Sequence, residues 1–191
     1  MTAKKKYIIA LGASAGGIAA LIEFFDNSLP DGITYVVTTH LYPHQKSILS
    51  EIIQKHINIK VCEVQDNIEV KTNVIYVMPE NKIMTIEDGK LILSPRDLST
   101  KLNKAIDIFF TSLAADTNFQ KVAVILSGMG VDGTEGIKAL SKKGGYIIAQ
   151  TPLSASKSSM PDSVIESGFV NEVLDPKHMP AAIIAYLSTQ Q

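Results

Sequence analysis

The chain has 191 residues, of which 46% are hydrophobic and 19% are charged. These values are typical of a globular protein, and we expect one domain over residues 1–191. The formal net charge of −1 provides no broad basic surface, so nucleic acid is not expected as a partner. No apolar stretch approaches the roughly 18 residues of a membrane span, and no signal-peptide pattern precedes the first apolar run, so the sequence predicts a cytoplasmic protein.

The first regular elements flank a turn of small residues. Residues 7–11 form an apolar run that predicts a buried strand, and residues 18–25 predict a helix. The turn between them, residues 12–17, matches the G-x-S-x-G pattern of a nucleophile elbow, with Ser14 at its centre. The start of the following helix offers free N–H groups and a partial positive charge, which suit an anion or a developing oxyanion. From the turn alone, a nucleophile, a phosphate-binding loop and simple helix packing all remain open.

Strand and helix patterns alternate along the rest of the chain. Strands are predicted at residues 33–39, 59–64, 73–79, 82–86, 90–93, 121–126 and 146–149, and helices at residues 45–56, 105–115, 134–143 and 181–188, with a helical turn at 162–167. Asp88-Gly89 between two short apolar runs predicts a β-hairpin, and we assign residues 73–93 to an antiparallel piece. The alternation predicts an α/β fold, a doubly wound, mostly parallel sheet in a Rossmann-like three-layer arrangement with that hairpin appended.

Three polar residues of complementary chemistry follow predicted strands. Ser14 follows the first strand, His40 the second, and Asp132 lies in a second glycine-rich turn, residues 127–133. Ligand sites of open α/β sheets lie at the carboxyl ends of the strands, so these side chains are expected to converge. A serine hydroxyl needs a base to become a nucleophile, and the histidine base needs a carboxylate to orient it. The three residues therefore predict a catalytic triad.

Each of these residues also has a simpler interpretation. Ser14 and Asp132 are good helix N-caps, and His40 could be a solvated loop histidine. A dinucleotide site is a further alternative, because Gly12, Ser14 and Gly17 stand where its fingerprint has three glycines. A dinucleotide-binding fold has a carboxylate at the end of the second strand, where it binds a ribose hydroxyl. This chain has Thr38-Thr39-His40 there, and the missing carboxylate counts against nucleotide binding.

These motifs resemble the catalytic domain of CheB, the chemotaxis protein-glutamate methylesterase and protein-glutamine glutaminase. The family's GAS-T/S-GG elbow corresponds to residues 12–17, and its histidine before a proline-containing loop corresponds to His40-Leu41-Tyr42-Pro43. The family's T-G-M-G-x-D-G motif corresponds to residues 127–133. The resemblance extends from about residue 7 to about residue 187, nearly the whole chain.

The resemblance implies a role for each matching residue. Ser14 would be the nucleophile, His40 the general base and acid, and Asp132 the carboxylate that orients the histidine. The backbone N–H of Met129 would stabilise the oxyanion, and the N–H of Ala15 is a second candidate on elbow geometry. No metal or cofactor is implied. The implied substrate is a methylated chemoreceptor cytoplasmic domain, with deamidation of glutamine as a related activity.

The chain departs from the family pattern in ways that affect recognition and control. Ala15 replaces a common Thr or Ser, and the family's PSVD stretch is here Lys104-Ala105-Ile106-Asp107. The chain as given begins at the catalytic domain, so we expect no receiver domain within it and a separate regulatory protein in its place. The rival hypothesis is a non-catalytic module that docks on a signalling partner.

Overall fold

A computed structural model describes residues 6–40 and 48–190 of the chain. The strands are β1 (Tyr7–Ala13), β2 (Ile33–Thr39), β3 (Lys60–Glu63), β4 (Ile68–Glu69), β5 (Val74–Val77), β6 (Lys82–Glu87), β7 (Lys90–Pro95), β8 (Gln120–Ile125), β9 (Tyr146–Gln150) and β10 (Glu172–Leu174). The α-helices are α1 (Gly17–Phe25), α2 (Leu49–Gln54), α3 (Ala105–Ala115), α4 (Thr134–Lys142), α5 (Ser159–Glu166) and α6 (Met179–Ser188). Single 3₁₀ turns cover Pro152–Ser154 and Pro176–His178.

The main sheet is parallel throughout its described part and has the strand order β10-β9-β8-β1-β2-β5-β3. Strand β1 lies between β2 and β8, and the chain builds one half of the sheet on the β2 side before it crosses to build the other half beyond β8. The carboxyl end of β1 is therefore the topological switch point, where open α/β sheets bind ligands. The prediction of a doubly wound, mostly parallel sheet is confirmed.

Strand β1 divides the core between the two faces of the sheet. Ile8 and Ala10 belong to one cluster, which includes buried side chains of α3, α4 and α5. Ile9 and Leu11 belong to the other, which includes side chains of α1, α2 and α6. Because successive strand side chains point to opposite faces, a strand that is apolar at every position needs helices on both sides. The run of apolar residues in β1 therefore dictates the three layers.

A small antiparallel sheet in the order β4-β7-β6 packs on the α3 side. Strands β6 and β7 form the predicted hairpin, with Glu87 opposite Lys90 and both Asp88 and Gly89 at positive φ (47° and 74°). Two consecutive positive φ angles are characteristic of the type I′ hairpin turn. The assignment of residues 73–79 to this antiparallel piece is wrong, because β5 pairs in parallel with β2 and β3.

Several predicted helix boundaries differ from the structure. The described part of the helix predicted at residues 45–56 is α2, and the predicted turn at residues 41–43 lies outside the described residues. Helix α5 begins three residues before the predicted helical turn at 162–167. Strands β4 and β10 were not predicted at all. Across the described ranges, no helix combines the length and apolar character that crossing a membrane requires.

Candidate active site

Backbone pairing brings the ends of β1, β2 and β8 together. Ala13 pairs with Thr39 at the last register position of β1 and β2, and the His40 N–H donates to Ala13 O at 3.3 Å. Ser14 and His40 are therefore side by side on neighbouring parallel strands, which lie about 4.8 Å apart. On the other side, the Ser14 N–H donates to Ser127 O at 2.9 Å. The structure thus places the predicted nucleophile between the predicted base and the second glycine-rich turn.

The turn after β1 differs in detail from the predicted nucleophile elbow. The left-handed residue is Gly16 (φ 75°), the N-cap of α1, and Ser14 is not among the described residues at positive φ. The Gly17 N–H donates to Ser14 O at 2.9 Å and closes the turn. A Cβ at position 16 would lie 2.5 Å from Ser156 Cβ, so glycine is required there for space as well as conformation. Ser14 does not cap its own helix, so the N-cap interpretation is wrong.

Ser127 joins the two glycine-rich turns, a role that the sequence analysis missed. Its hydroxyl donates to Ala15 O at 2.8 Å and accepts from the Lys157 N–H at 2.9 Å. Its own N–H donates to Gln150 Oε1 at 2.7 Å. Ser127 is 1% exposed and Gln150 is 2% exposed, so these hydrogen bonds are shielded from water and expensive to lose. The backbone that carries Ser14 is therefore held from the β8 and β9 sides.

His40 and Asp132 are joined directly, as predicted. His40 Nε2 lies 2.5 Å from Asp132 Oδ2, and both side chains are largely buried. An ionised carboxylate only accepts hydrogen bonds, so Nε2 carries the proton and Nδ1 of a neutral ring is the acceptor. In the usual serine-hydrolase arrangement Nδ1 faces the carboxylate and Nε2 the serine. Here Nε2 faces the carboxylate instead, and Nδ1 has no hydrogen-bond partner among the described residues.

The Asp132 carboxylate also caps a helix that the sequence analysis did not connect with it. Oδ2 accepts from the Ile106 N–H at 2.9 Å, and Oδ1 accepts from the N–H groups of Asp107 at 2.8 Å and Gly133 at 2.9 Å. Ile106 and Asp107 belong to the first turn of α3, whose own N-cap, Lys104, makes no side-chain cap. Asp132 was expected as a possible cap of α4, but the N-cap of α4 is Gly133. Charged acceptors at a helix N-terminus are favourable, so the Asp132 carboxylate stabilises the start of α3.

Asp107 makes the complementary contact. Its Oδ1 accepts from the Gly136 N–H, in the first turn of α4, at 2.8 Å. Burial raises the pKa of the Asp107 carboxyl above its ordinary value, and the neighbouring negative charge of Asp132 raises that pKa further. Asp132, just before α4, therefore caps α3, and Asp107, in the first turn of α3, caps α4.

Gly12 allows α3 to approach the end of β1. A Cβ at position 12 would lie 2.8 Å from Ile106 Cγ2 and 3.1 Å from Ile125 Cδ1. The first glycine of the G-x-S-x-G pattern therefore has a packing function here, because it admits the first turn of α3 against the sheet. That approach is what brings the α3 N–H groups to Asp132.

Two backbone donors near Ser14 are available to a ligand. Among the described residues, the N–H groups of Ala15 and Met129 have no hydrogen-bond partner. Gly128, next to Met129, is so close that a Cβ there would lie 2.9 Å from Ser14 Cβ. Within the same part of the chain, no hydrogen bond joins Ser14 Oγ to His40. Hydrogen bonds between a nucleophile and its base are often long without substrate and shorten when substrate binds. A serine, a histidine joined to a carboxylate, and unpaired backbone donors are groups that suit acyl transfer.

Apolar side chains are exposed on the segments that follow β1, β8 and β9. Met129 is 59% exposed and Leu153 is 98% exposed, and Ile18 and Val131 also reach the surface. A surface cleft of about 510 Å³ lies elsewhere, between the hairpin and the C-terminal end of α3, and has no triad residue in its lining. Across residues 6–40 and 48–190, no three His, Cys, Asp or Glu side chains are grouped so that they could hold one metal ion.

Comparisons with known proteins agree with this architecture. A family model described as CheB methylesterase matches residues 9–183. The Bacillus licheniformis protein-glutamate methylesterase/protein-glutamine glutaminase is 32% identical over 97% of this chain, and protein-glutamate methylesterase/protein-glutamine glutaminase 1 of Saccharophagus degradans is 32% identical over 87%. This chain spans about half the length of both relatives, 54% and 47% respectively.

A solved structure has the same fold. The crystal structure of the Thermotoga maritima CheB methylesterase catalytic domain is 29% identical, has a TM-score of 0.83, and covers 96% of this chain and 100% of its own. The resemblance drawn from the residue motifs is confirmed by the family match, the relatives and the fold. The chain belongs to the CheB methylesterase family.

Proposed function

We propose that this chain is a serine hydrolase that removes methyl groups from glutamyl methyl esters on chemoreceptor cytoplasmic domains. The observation that carries the proposal is the 2.5 Å hydrogen bond between His40 Nε2 and Asp132 Oδ2 at the strand edge that holds Ser14. The relatives named as protein-glutamate methylesterases support the substrate class. The proposal treats the chain as one catalytic domain that acts in the cytoplasm.

The chemistry follows the standard two steps of acyl transfer. Ser14 Oγ attacks the ester carbonyl carbon while its proton passes to His40 Nδ1, and Asp132 stabilises the resulting imidazolium. The N–H groups of Met129 and Ala15 stabilise the negatively charged oxygen. The imidazolium then protonates the departing methoxide, and methanol leaves. Water, deprotonated by His40, hydrolyses the acyl-enzyme to glutamate and restores Ser14.

The form of the site supports a protein substrate. Ser14 is partly exposed at the carboxyl edge of the sheet, where a side chain projecting from another protein could reach it. The exposed Met129, Val131 and Leu153 offer apolar surface around that edge, and exposed apolar patches are typical of interaction sites. The same steps on a glutamine side chain would release ammonia, so deamidation of receptor glutamines is proposed as a related activity.

Methanol release from methylated receptor cytoplasmic fragments tests the proposal. Wild type should release methanol, Ser14→Ala should lose on the order of 10⁶-fold in turnover, and Asp132→Asn about 10⁴-fold. If wild type releases no methanol but hydrolyses a general ester in a Ser14-dependent way, the hydrolase stands and the receptor substrate does not. If neither substrate is turned over, the chain is a docking module that retains the fold.

A further inference from the structure

The first turns of α3 and α4 exchange acidic caps. Asp132, two residues before α4, accepts from the Ile106 and Asp107 N–H groups at the start of α3. Asp107, in the first turn of α3, accepts from the Gly136 N–H at the start of α4. The N-caps of both helices, Lys104 and Gly133, make no side-chain cap of their own. The two helix starts are therefore tied to each other and not to their own N-cap residues.

In this exchange Asp132 contacts the proposed base, His40, whereas Asp107 contacts the helix start next to Asp132. Asp132 is 6% exposed and hydrogen-bonds to His40, whereas Asp107 is half-buried and makes no hydrogen bond to His40 within the described residues. The mechanism proposed above has no task for Asp107. We propose that Asp107 is a positioning residue, which fixes the start of α4 against α3 and thereby holds Asp132 in line with His40.

Asp132 is attached directly to the start of α4. Only Gly133 separates it from Thr134, the first residue of α4, so a shift or rotation of the α4 start moves the Asp132 carboxylate. Loss of the Asp107 cap leaves the Gly136 N–H without an acceptor and lets this helix start move. A 2.5 Å hydrogen bond tolerates little displacement. Misplacement of a catalytic group by about 1 Å can cost up to 100-fold in rate.

Helices α3 and α4 are in close contact where the Asp107 side chain meets the start of α4. A Cβ at Gly136 would lie 2.5 Å from Phe110 Cβ and 3.3 Å from Asp107 Cα. The α4 start is therefore in direct contact with the backbone of α3 beside Asp107. Together with the Asp132 hydrogen bonds to the start of α3, the bond from the Gly136 N–H to Asp107 Oδ1 fixes the register of α4 on α3.

Asp116 provides a matched control at the opposite end of α3. It is buried and, like Asp107, accepts backbone N–H groups, from Gly89 at 3.0 Å and from Asn118 at 2.7 Å. Its hydrogen bonds tie α3 to the hairpin, away from the triad. Asp116→Ala therefore removes a carboxylate that accepts backbone N–H groups, without touching the α4 start. Asp107→Asn is the rescuing variant, because its amide oxygen can still accept from Gly136.

The inference rests on the proposed function, so the experiment uses turnover and a signal that is independent of substrate. For turnover of a methyl ester, Asp107→Ala should lower kcat about 10- to 100-fold with KM changed less than about threefold. Asp107→Asn and Asp116→Ala should keep kcat within about threefold of wild type. In parallel, the ¹H NMR signal of the His40 Nε2 proton should move upfield or broaden in Asp107→Ala alone.

The outcomes distinguish a failure of the positioning role of Asp107 from a failure of the proposed esterase function. An unchanged kcat and an unchanged His40 proton signal in Asp107→Ala would overturn the positioning role. Asp107→Asn as impaired as Asp107→Ala would also overturn it, because the accepting oxygen would then not be what matters. If wild type turns over no ester, the proposed function fails, and the His40 signal alone decides whether Asp107 holds Asp132 in place.

Discussion

His40 and Asp132 lie 92 positions apart in the sequence and are joined by a 2.5 Å hydrogen bond between Nε2 and Oδ2. The same Oδ2 accepts from the Ile106 N–H at 2.9 Å. One oxygen therefore serves both the imidazole and the first turn of α3. Because of this sharing, changes at Asp132 should appear in both activity and stability, whereas changes at Ser14 should appear in activity alone.

Asp132→Asn tests this coupling. The amide offers one accepting oxygen, so in either orientation its NH₂ group faces an N–H of α3 or of Gly133, and at least one helix donor loses its acceptor. Turnover should fall about 10⁴-fold, and the free energy of unfolding should fall by about 1–2 kcal/mol. Ester turnover and urea denaturation measure the two effects.

Asp162→Asn is the control for Asp132→Asn, because it also changes a carboxylate near the start of a helix, α5. Among the described residues, the Asp162 side chain makes no hydrogen bond. The substitution should change the free energy of unfolding by less than about 0.5 kcal/mol. Full stability in Asp132→Asn would contradict the shared role of this carboxylate.

Gly16→Ala should destabilise the turn after β1. Alanine at φ 75° is strained, and its Cβ would collide with Ser156, 2.5 Å away. Gly32→Ala has the same strain at φ 77° but no atom within 4 Å. Gly32→Ala should cost about 1–2 kcal/mol, and Gly16→Ala about 1–3 kcal/mol more. Turnover should fall only in Gly16→Ala, and equal stability losses in both variants would refute the close contact.

Ser127→Ala should loosen the backbone on both sides of Ser14. It leaves the buried Ala15 carbonyl without its hydroxyl donor and the Lys157 N–H without its acceptor, at a cost of about 1–3 kcal/mol. Ser163→Ala is the control, because that exposed hydroxyl donates only to a carbonyl of its own helix. Thermal unfolding compares the two variants, and a Ser127→Ala protein as stable as Ser163→Ala would be inconsistent with the network.

The raised pKa of Asp107 predicts a pH dependence of stability. The carboxyl binds its proton more tightly in the folded state, because it is buried and faces the Asp132 charge. Its contribution is fully present below its ordinary pKa of 3.8 and is lost as the pH rises through the raised folded-state pKa. Asp107→Asn has no proton to lose. Its stability relative to wild type should therefore increase from pH 4 to pH 7 in denaturant titrations, and a difference independent of pH would contradict the raised pKa.

Much of the fold could be predicted from local patterns, because strands buried on both faces read as continuous apolar runs. The hairpin could be predicted from Asp88-Gly89, whose residue types fit two positive φ angles. Strand β10 has only three residues, and residues 74–77 were grouped with the wrong sheet. Pairing partners are chosen by contacts far apart in the sequence, which periodicity does not contain.

The placement of Ser14, His40 and Asp132 at one edge of the sheet could be predicted, because each follows a strand and parallel strands end at one edge. The orientation of the His40 ring and the capping of α3 by Asp132 could not be predicted, because both depend on contacts between residues far apart in the sequence. A local pattern assigned Asp132 to its own helix, whereas packing gave it to another. The role of Ser127 also escaped prediction, since a serine in a glycine-rich turn gives no signal of its distant partners.

Labelling with a fluorophosphonate probe, mapped to the residue by mass spectrometry, tests the central claim most directly. The probe reacts with an activated serine, and the chain offers comparison hydroxyls nearby at Ser156 and Ser159. The account predicts labelling at Ser14 alone, abolished by Ser14→Ala and strongly slowed by His40→Gln. An unlabelled protein, or labelling of Ser14 that is unchanged in His40→Gln, would contradict it.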